Sequence, residues 1–517
     1  MAQVASSIPC RGAWEAIGSA NVNAGRNLLT GIAAIAPNDV WAVGTYVNSG
    51  LVYQTLTEHW DGSAWSVVPT PNVGPGNNLF TAVTAIGPGD VWAVGLSRPG
   101  NSTTAAQPLT EHWNGNGWTV VSTPSLPNSS TALYSVSGDA SNDVWAVGVS
   151  IDVPTTILGP RGRPIVIRWN GSSWSVATAP VPQAPSLDLS SLNAVKVLTP
   201  TNVWAVGDGL DFTGSMAVSP DTAFIEHWDG GIWTQFTVPA QPNGDFLIDV
   251  QGTANDLWAV GGKGQVGSST SDSVLIVHST GTTWTEVPGV SPQLSANLFG
   301  LGYLGSNNVY AVGASAYANP GTSQEADYTL VERWDGATWT LVMSIEPSTN
   351  DAFLAIAAIS ANDIWASGFE TINGYAQTLT ESMCAPPVVT NVAPPSGSAG
   401  SSVVITGSGF SRAIDVEFGA TPAFSFHVDS DTQITAVSPG HKAGMVDVTV
   451  TVQGTSAASS ADQFTYLQSL PGAAQGSGTF QSRTSAPPPL GVLLRRSDEA
   501  MSRLAVWVTL TMLGLIR

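Results

Sequence analysis

Short apolar segments alternate with turn residues along most of the chain, and their order repeats. The first copy contains four such segments, at residues 28–36, 40–45, 56–60 and 65–68. A Pro-Asn-Asp turn separates the first two segments, and Asp61-Gly62 separates the last two. Asp and Gly tolerate the positive φ angles of a tight hairpin. Each copy therefore predicts four short β-strands.

The second strand of each copy carries the string Asn-Asp-Val-Trp-Ala-Val-Gly or a close variant. A further string, Glu-His-Trp-Asp-Gly-x-x-Trp or a variant of it, follows in most copies, although Ser279 replaces its first Trp in the fifth copy. Four strands per unit of roughly 50 residues, repeated seven times, predict an all-β chain with a seven-bladed β-propeller. The second-strand aromatic residues recur every 51 to 59 residues, at Trp41, Trp92, Trp145, Trp204, Trp258, Tyr310 and Trp365.

The order of these elements resembles the kelch repeat over residues 8–385. Kelch repeats usually carry a Gly pair at the end of the second strand, and here only Gly261-Gly262 has both residues. The seventh copy lacks a downstream Trp strand, and the segment around Trp14 matches that missing fourth strand. Propellers of this kind are commonly closed in this way, so we expect the N-terminal strand to complete the last blade.

Alignment of the copies places the only two cysteines at one position. Cys10 lies four residues before Trp14, Cys384 lies three residues after Glu381, and both correspond to Asp61 of the first copy. We predict a disulfide between them, which implies an oxidising compartment. Two buried thiols that align by chance are the alternative.

After residue 385 the Trp repeats end, and residues 386–467 resemble the TIG (IPT) family of immunoglobulin-like domains. The resemblance rests on segments such as Val403-Val-Ile-Thr-Gly-Ser-Gly-Phe410 and the closing Phe464-Thr-Tyr466. Residues 468–517 predict a flexible linker followed by a short apolar tail. The apolar run of this tail, residues 504–516, is shorter than the roughly 20 residues that span a bilayer, so it does not establish a membrane span.

Composition narrows the classes of partner. The net charge is −21 and the chain has three lysines, which argues against a nucleic-acid ligand because such ligands require basic residues. Residues 1–9 contain neither a charged region nor a long apolar region, so no signal peptide is visible in this chain. A start site assigned too late would reconcile this with the disulfide, and we expect a secreted or cell-surface monomer.

Residues that recur in register are interpreted as structural rather than catalytic. This applies to the third-strand histidines His59, His112, His227 and His278. Asp39 and its counterparts, two residues before each second-strand aromatic, are interpreted as caps of the tight turns. We expect no catalytic residue, no metal and no cofactor.

The enzymatic alternative comes from a second resemblance. A kelch-type propeller followed by an immunoglobulin-like domain is also the plan of copper-radical enzymes of the galactose-oxidase type. His441 could serve as one ligand, but the required Tyr beside a His does not occur in the chain. A secreted copper-radical oxidase-like or glycoside-hydrolysing enzyme is the alternative to a binding protein.

Loops between the second and third strands are the predicted binding region. The span from the second-strand Gly to the Glu58-equivalent position varies from 13 to 19 residues, whereas the turns at the other face are uniformly short. Variable loops on a rigid scaffold often carry recognition. We therefore expect a non-catalytic adhesion or recognition protein for extracellular carbohydrate or protein, with the TIG module as spacer or accessory binder. The candidate ligand-face residues are Tyr46, Tyr53, Arg98, Arg161, Arg163, Asp211, Phe212, Tyr317, Tyr328 and Tyr375.

Overall fold

A computed structural model describes most of residues 13–467. Strands are the regular secondary structure of the described part, and no helix there is long and apolar enough to cross a membrane. It forms two compact units, Ala13–Cys384 and residues 387–467. The positions not described within it are 99, 101–104, 125, 127–128, 153–161, 181–188, 211, 214–216, 219–220, 240, 242–243, 265–272, 282, 292–294, 319–324, 345–347, 349, 361–362, 385–386, 411–412, 431 and 453–454.

The first unit contains thirty β-strands among the described residues. They are β1 (Ala13–Ala16), β2 (Asn27–Ala36), β3 (Asp39–Val47), β4 (Tyr53–Trp60), β5 (Trp65–Val67), β6 (Asn78–Gly87), β7 (Asp90–Ser97), β8 (Gln107–Trp113), β9 (Trp118–Val120), β10 (Ser129–Ala140), β11 (Asp143–Asp152), β12 (Gly162–Trp169), β13 (Trp174–Val176), β14 (Leu189–Thr199), β15 (Asn202–Leu210), β16 (Phe212–Thr213), β17 (Ala217–Val218), β18 (Thr222–Trp228), β19 (Trp233–Phe236), β20 (Asp245–Thr253), β21 (Asp256–Lys263), β22 (Ser273–Ser279), β23 (Trp284–Glu286), β24 (Ser295–Tyr303), β25 (Val309–Ala318), β26 (Glu325–Trp334), β27 (Trp339–Leu341), β28 (Ala352–Ser360), β29 (Asp363–Ile372) and β30 (Tyr375–Cys384).

Each of the seven sequence repeats corresponds to four antiparallel strands among the described residues, although repeat 7 itself supplies only three of its four. Repeats 1, 2, 5 and 6 are the sheets β2–β5, β6–β9, β20–β23 and β24–β27, and repeat 7 is β28–β30 together with β1. Repeats 3 (β10–β13) and 4 (β14, β15, β18, β19) are joined into one sheet by a parallel pairing of Gly162 with Leu189. The first strands contact one another in a cycle, from β2 through β6, β10, β14, β20, β24 and β28 back to β2. The predicted all-β propeller architecture is confirmed.

The N-terminal strand lies in the sheet of repeat 7. Trp14 of β1 is paired with Met383 of β30, as Trp65 is paired with Trp60 in repeat 1. Trp14 is 1% exposed, and its ring centroid lies 6.0 Å from that of Phe353. The start of the chain therefore contributes core packing to the last repeat. Cys10 lies outside the described residues, as does the side chain of Cys384, and the disulfide stays a prediction.

A β-bulge interrupts the first strand of every repeat at the same place. In repeat 1 the register shifts at Thr30, close to Gly44 of the second strand. A Cβ atom on Gly44 would lie 1.9 Å from the backbone oxygen of Leu28. The Gly that ends each second-strand motif is thus required by the close approach of the bulged strand. The counterparts, at which a Cβ would lie 1.9 to 2.1 Å from a carbonyl oxygen, are Gly95, Gly148, Gly207, Gly261, Gly313 and Gly368.

Aromatic side chains join neighbouring repeats. Trp92 of repeat 2 packs against Trp169 and Trp174 of repeat 3, with ring centroids 4.9 and 5.3 Å apart. The same arrangement joins repeat 7 to repeat 1, where Trp365 packs against Trp60 and Trp65 at 5.0 and 5.4 Å. The two aromatic residues of the third and fourth strands therefore enclose the second-strand Trp of the preceding repeat.

The second and third strands of repeat 1 are longer than the apolar pattern predicts. β3 continues to Val47 and β4 begins at Tyr53, where Tyr46 is paired with Gln54. Half-buried polar residues extend the backbone ladder beyond the apolar segment, so the hydrophobic pattern does not mark these strand ends. As a result, several residues predicted to lie in loops lie on strands near the loop end.

The second unit is a small sandwich of two sheets, β31-β33-β37-β36 and β32-β39-β38-β34-β35, in which all pairings are antiparallel except that of β32 with β39. Its core includes Val403, Ile405, Phe418, Ile434 and Phe464, all buried. The strands are β31 (Val388–Ala393), β32 (Ser396–Gly397), β33 (Ser402–Ser408), β34 (Asp415–Phe418), β35 (Thr421–Pro422), β36 (Ser425–Ser430), β37 (Gln433–Val437), β38 (Gly444–Thr451) and β39 (Gln463–Tyr466). This packing agrees with the predicted immunoglobulin-like domain.

Candidate ligand-binding face

The candidate face is the end of the propeller formed by the connections between second and third strands and by the linkers between repeats. We call it the loop face. In an up-and-down repeat these connections share one end of the ring, and the short turns share the other. The linker from β1 to β2 and the connection from β3 to β4 therefore lie at the loop face.

Four residues meet at the loop face where repeats 1 and 2 adjoin. Arg26 Nη1 donates a hydrogen bond to the Tyr53 hydroxyl at 3.2 Å. The backbone N of Tyr53 donates to Asn77 Oδ1 at 3.1 Å, and the backbone N of Arg98 donates to Asn77 O at 2.7 Å. Linker residue Asn77 thus ties the predicted residues Tyr53 and Arg98 together. Arg26, which supplies the guanidinium beside Tyr53, was not among the predicted site residues.

Burial decides how much of this group a ligand could reach. Arg98 is only 6% exposed, and this burial lowers the pKa of its guanidinium. Tyr53 is half-buried against the apolar cluster that contains Leu79 and Leu96. Its hydroxyl is held by Arg26, so the ring has a defined orientation. Arg98 therefore supports the face from below, and Tyr53 with Arg26 forms its more accessible part.

Among the remaining predicted residues, Tyr46 lies beside this group, since it is paired with Asn27 and Gln54, and the other described candidates lie on other repeats. Tyr46 and Tyr328 are half-buried, whereas Arg163 near the start of β12 is exposed. Tyr375 is 55% exposed at the tip of the β29–β30 hairpin, where Asn373 and Gly374 take positive φ values of 53° and 80°. Four further candidates lie wholly or in their side chains outside the described residues: Arg161, Asp211, Phe212 and Tyr317.

A polar group on the first strands of repeats 3 and 4 and on the second strand of repeat 4 was missed by the sequence predictions. Asn193 Nδ2 donates to Asp208 Oδ1, and also to Leu247 O of the next repeat at 2.8 Å. Burial raises the pKa of Asp208 to about 6, and burial together with Asp208 raises the pKa of the Tyr134 hydroxyl. The sequence did contain a signal for this group, because Asn193 occupies the bulge position of the first strand, where repeats 1 and 2 carry Thr30 and Thr81.

A second missed pair lies on the first strands of repeats 4 and 5. Burial lowers the pKa of Lys196 and raises that of Asp249 to about 6, while each charge partly offsets the effect of burial on the other. Asp249 accepts hydrogen bonds from the backbone N of Val250 at 2.7 Å and of Leu301 at 2.8 Å. The Asp249 carboxylate therefore connects repeats 5 and 6, which is a structural role.

Three of the recurring histidines, His59, His112 and His278, bind the recurring acidic residue of their own repeat, whereas His227 binds Asn202. His59 Nε2 lies 2.8 Å from Asp39 Oδ1, and the ring of His59 packs on Trp41 with centroids 4.4 Å apart. The same contact joins His112 with Asp90 at 2.8 Å, and in repeat 2 the Trp92 Nε1 also donates to Asp90 at 3.1 Å. These carboxylates link neighbouring strands, whereas the sequence predicted that they cap the turns.

No group of three or more His, Cys, Asp or Glu side chains in the described part of the chain is arranged to hold a metal ion. His441 of the second unit stacks on Tyr466, with ring centroids 4.9 Å apart. Its Nδ1 lies 2.8 Å from the backbone oxygen of Lys442. Both contacts of His441 are within its own unit.

Comparison with known proteins identifies the second unit by its family and finds solved structures of low similarity to the whole chain. Residues 387–466 match the family model of the IPT/TIG domain. No curated protein matches the chain. Among solved structures, "YCF48 bound to D1 peptide" is 16% identical with a TM-score of 0.43, covering 73% of this chain and 100% of its own.

Two further solved structures are similar at lower identity. A fungal alcohol oxidase of the AA5 family in complex with copper is 10% identical with a TM-score of 0.40, covering 89% of this chain and 100% of its own. A PL25 polysaccharide lyase, an ulvan lyase, is 9% identical with a TM-score of 0.43, and the alignment covers 72% of this chain and 96% of the lyase. At these identities the likeness concerns the fold alone. The chain thus combines a β-propeller with a C-terminal IPT/TIG domain.

Proposed function

We propose that this chain is a non-catalytic binding protein that recognises an extracellular carbohydrate or protein through the loop face. The observation that carries the proposal is the Arg26–Tyr53 pair, an aromatic ring oriented by a guanidinium at the junction of two repeats. Aromatic and arginine side chains held in place by their neighbours are the residue types that dominate recognition surfaces. A sugar ring or a protein loop suits this combination.

Two features of the fold support the proposal. The backbone around Tyr53 is fixed by its bond to Asn77, so little conformational entropy is lost when a ligand binds. Tyr375 adds an exposed aromatic ring on a different repeat, at the tip of a hairpin. We further propose that the protein is secreted or displayed at the cell surface as a monomer, with the IPT/TIG domain as a spacer or accessory binding module.

A glycan array followed by titration of any bound glycan tests the proposal. The variants Tyr53→Ala and Tyr375→Ala are expected to weaken binding by about tenfold or more, because each removes an aromatic contact. Asn116→Ala changes an exposed residue in a turn at the opposite end of the propeller and is the matched control. Binding that survives both tyrosine substitutions, or stoichiometric copper in the purified protein, would contradict the proposed function. Binding to proteins but not to glycans would select a protein ligand.

A further inference from the structure

Five repeats place a glutamate at the same buried position of the third strand. The two other repeats carry Ile167 and Val277 there, both fully buried. The position is therefore an apolar site between neighbouring elements that also accommodates a carboxyl group. The glutamates, which are 0 to 2% exposed, are Glu58, Glu111, Glu226, Glu332 and Glu381.

Two of these carboxyl groups bind the linker that leaves the preceding repeat. Glu58 Oε2 accepts hydrogen bonds from Ser19 Oγ at 2.6 Å and from the backbone N of Ala20 at 3.1 Å, both in the linker after β1. Glu332 Oε2 accepts from the backbone N of Val290 at 2.9 Å, in the linker after β23. The carboxyl group thereby connects two repeats.

The environment of these carboxyl groups favours their neutral form. Oε1 of Glu58, Glu226 and Glu332 is buried without a hydrogen-bond partner in the described part of the chain, and so are both oxygens of Glu111. A buried carboxylate without such partners is costly, and protonation reduces the cost. Burial accordingly raises the pKa of Glu58, Glu226 and Glu332 to about 7 and that of Glu111 to about 8.

Charged neighbours do not compensate for burial. Glu58 is paired with Ala42 and Val67, and the neighbouring strands supply equally uncharged partners to Glu111 and Glu332. The linkers at residues 68–77 and 287–294 contain no charged residue, and that at 17–26 contains only Arg26. Elsewhere the linkers carry Asp188, Glu346 and Asp351, of which only Asp351 is described.

We propose that the buried carboxyl groups of Glu58, Glu111, Glu226 and Glu332 make the ring pH-sensitive, so that it is held together when they are protonated and loosened when they are ionised, with Glu58 and Glu332 acting as clasps between repeats. The native protein binds these protons more tightly than the unfolded chain, where the pKa lies near its ordinary value of 4.5. Between pH 4.5 and about 7 to 8 the native state therefore carries more protons, and its stability falls as the pH rises through this window. The propeller is most stable in a mildly acidic medium.

Thermal unfolding of the full chain between about pH 5.5 and about pH 8.5 tests the proposal. Tryptophan fluorescence is the readout, since 18 of the 19 Trp residues precede residue 366. The wild type is expected to lose on the order of 10 °C of Tm across this range. The variant Glu58→Gln/Glu226→Gln/Glu332→Gln, neutral at every pH, is expected to lose less than half as much.

The matched control, Asp61→Asn/Asp229→Asn/Asp335→Asn, replaces the same number of carboxyl groups by amides but at exposed turn positions. Repeats 2 and 3 already carry Asn114 and Asn170 there, so the control is expected to fold and to keep the wild-type slope. Hydrogen bonds lower the pKa of Asp61, Asp229 and Asp335, which stay ionised throughout. The histidines are unchanged in both variants and cannot account for a difference between them.

A wild-type Tm that does not fall with pH, or a Gln variant with the slope of the control, overturns the proposal. If the Gln variant does not fold, the single substitution Glu111→Ile takes its place, since repeat 3 already carries Ile167 at that position. It is expected to raise Tm more at about pH 8.5 than at about pH 5.5. An equal change at both pH values overturns the proposal.

Discussion

At Gly95 the backbone of the neighbouring strand leaves no room for a side chain. A Cβ atom there would lie 2.0 Å from Leu79 O and 2.9 Å from Phe80 Cα. Both atoms belong to the backbone of the bulged strand β6, so neither can rotate away. The requirement is steric, and it follows from the bulge rather than from the backbone angles of the glycine itself.

We predict that Gly95→Ala destabilises the propeller by about 3 kcal/mol or more, because the bulge must be displaced to admit one methyl group. Gly117→Ala is the matched control, since a Cβ there meets nothing within 4 Å and repeat 1 carries Ala64 at the same position. Urea unfolding followed by tryptophan fluorescence measures both. Equal stability of the two variants would show that the bulge adapts.

At the residue scale the sequence predicted which residues have a structural role better than it predicted which residues contact each other. The recurrence of His59 and Asp39 indicated a structural role, and the two side chains are indeed bonded to each other. The Arg26–Tyr53 pair could not be predicted, because the two residues are separated by two strands and meet only at the loop face. Contacts of this kind depend on where the chain returns, which a local pattern does not contain.

At the scale of the element, the aromatic cluster between two neighbouring repeats stabilises the packing of their sheets. Trp92 is 1% exposed and contacts Trp169 and Trp174 of the next repeat. Its indole nitrogen donates to Asp90 of its own strand. One side chain therefore joins two sheets and also stabilises the start of its own strand.

We predict that Trp92→Ala lowers the free energy of unfolding by about 3 to 5 kcal/mol, because it leaves a cavity between repeats 2 and 3. Trp92→Tyr is expected to cost less than half as much, since repeat 6 carries Tyr310 at the same position. Chemical denaturation compares the two variants with the wild type. A Tyr variant as unstable as the Ala variant would contradict a role based on packing.

The strand pattern of each element was largely predictable. Residues 28–36 and 65–68 were predicted as strands, and the structure has β2 at Asn27–Ala36 and β5 at Trp65–Val67. The predicted hairpin at Asp61-Gly62 is also present, with a positive φ of 96° at Gly62. The sequence pattern made the strands too short near the loop face, because half-buried residues continue the backbone pairing beyond the apolar segment there.

For the whole molecule, the two ends of the propeller meet in one sheet, where Ala13 is paired with Cys384. We predict that Cys10 and Cys384 form a disulfide across this seam, which would stabilise the fold by on the order of 5 kcal/mol in the chain-entropy model. Thiol titration of the denatured protein should find no reactive thiol before reduction and two after it. The variant Cys10→Ser should expose one thiol without reduction, whereas two reactive thiols in the wild type would contradict the bridge.

The repeat order, the strand number per repeat and the immunoglobulin-like domain were determined by the sequence alone, because burial periodicity, turn residues and recurring aromatic positions are local properties. The tertiary structure decided which polar groups meet, as at Asn193 and Asp208, and which predicted ligand residues are accessible. Arg98 is buried while Tyr375 is exposed, although both follow second strands. The physical reason is that accessibility depends on how neighbouring repeats and linkers pack over a residue.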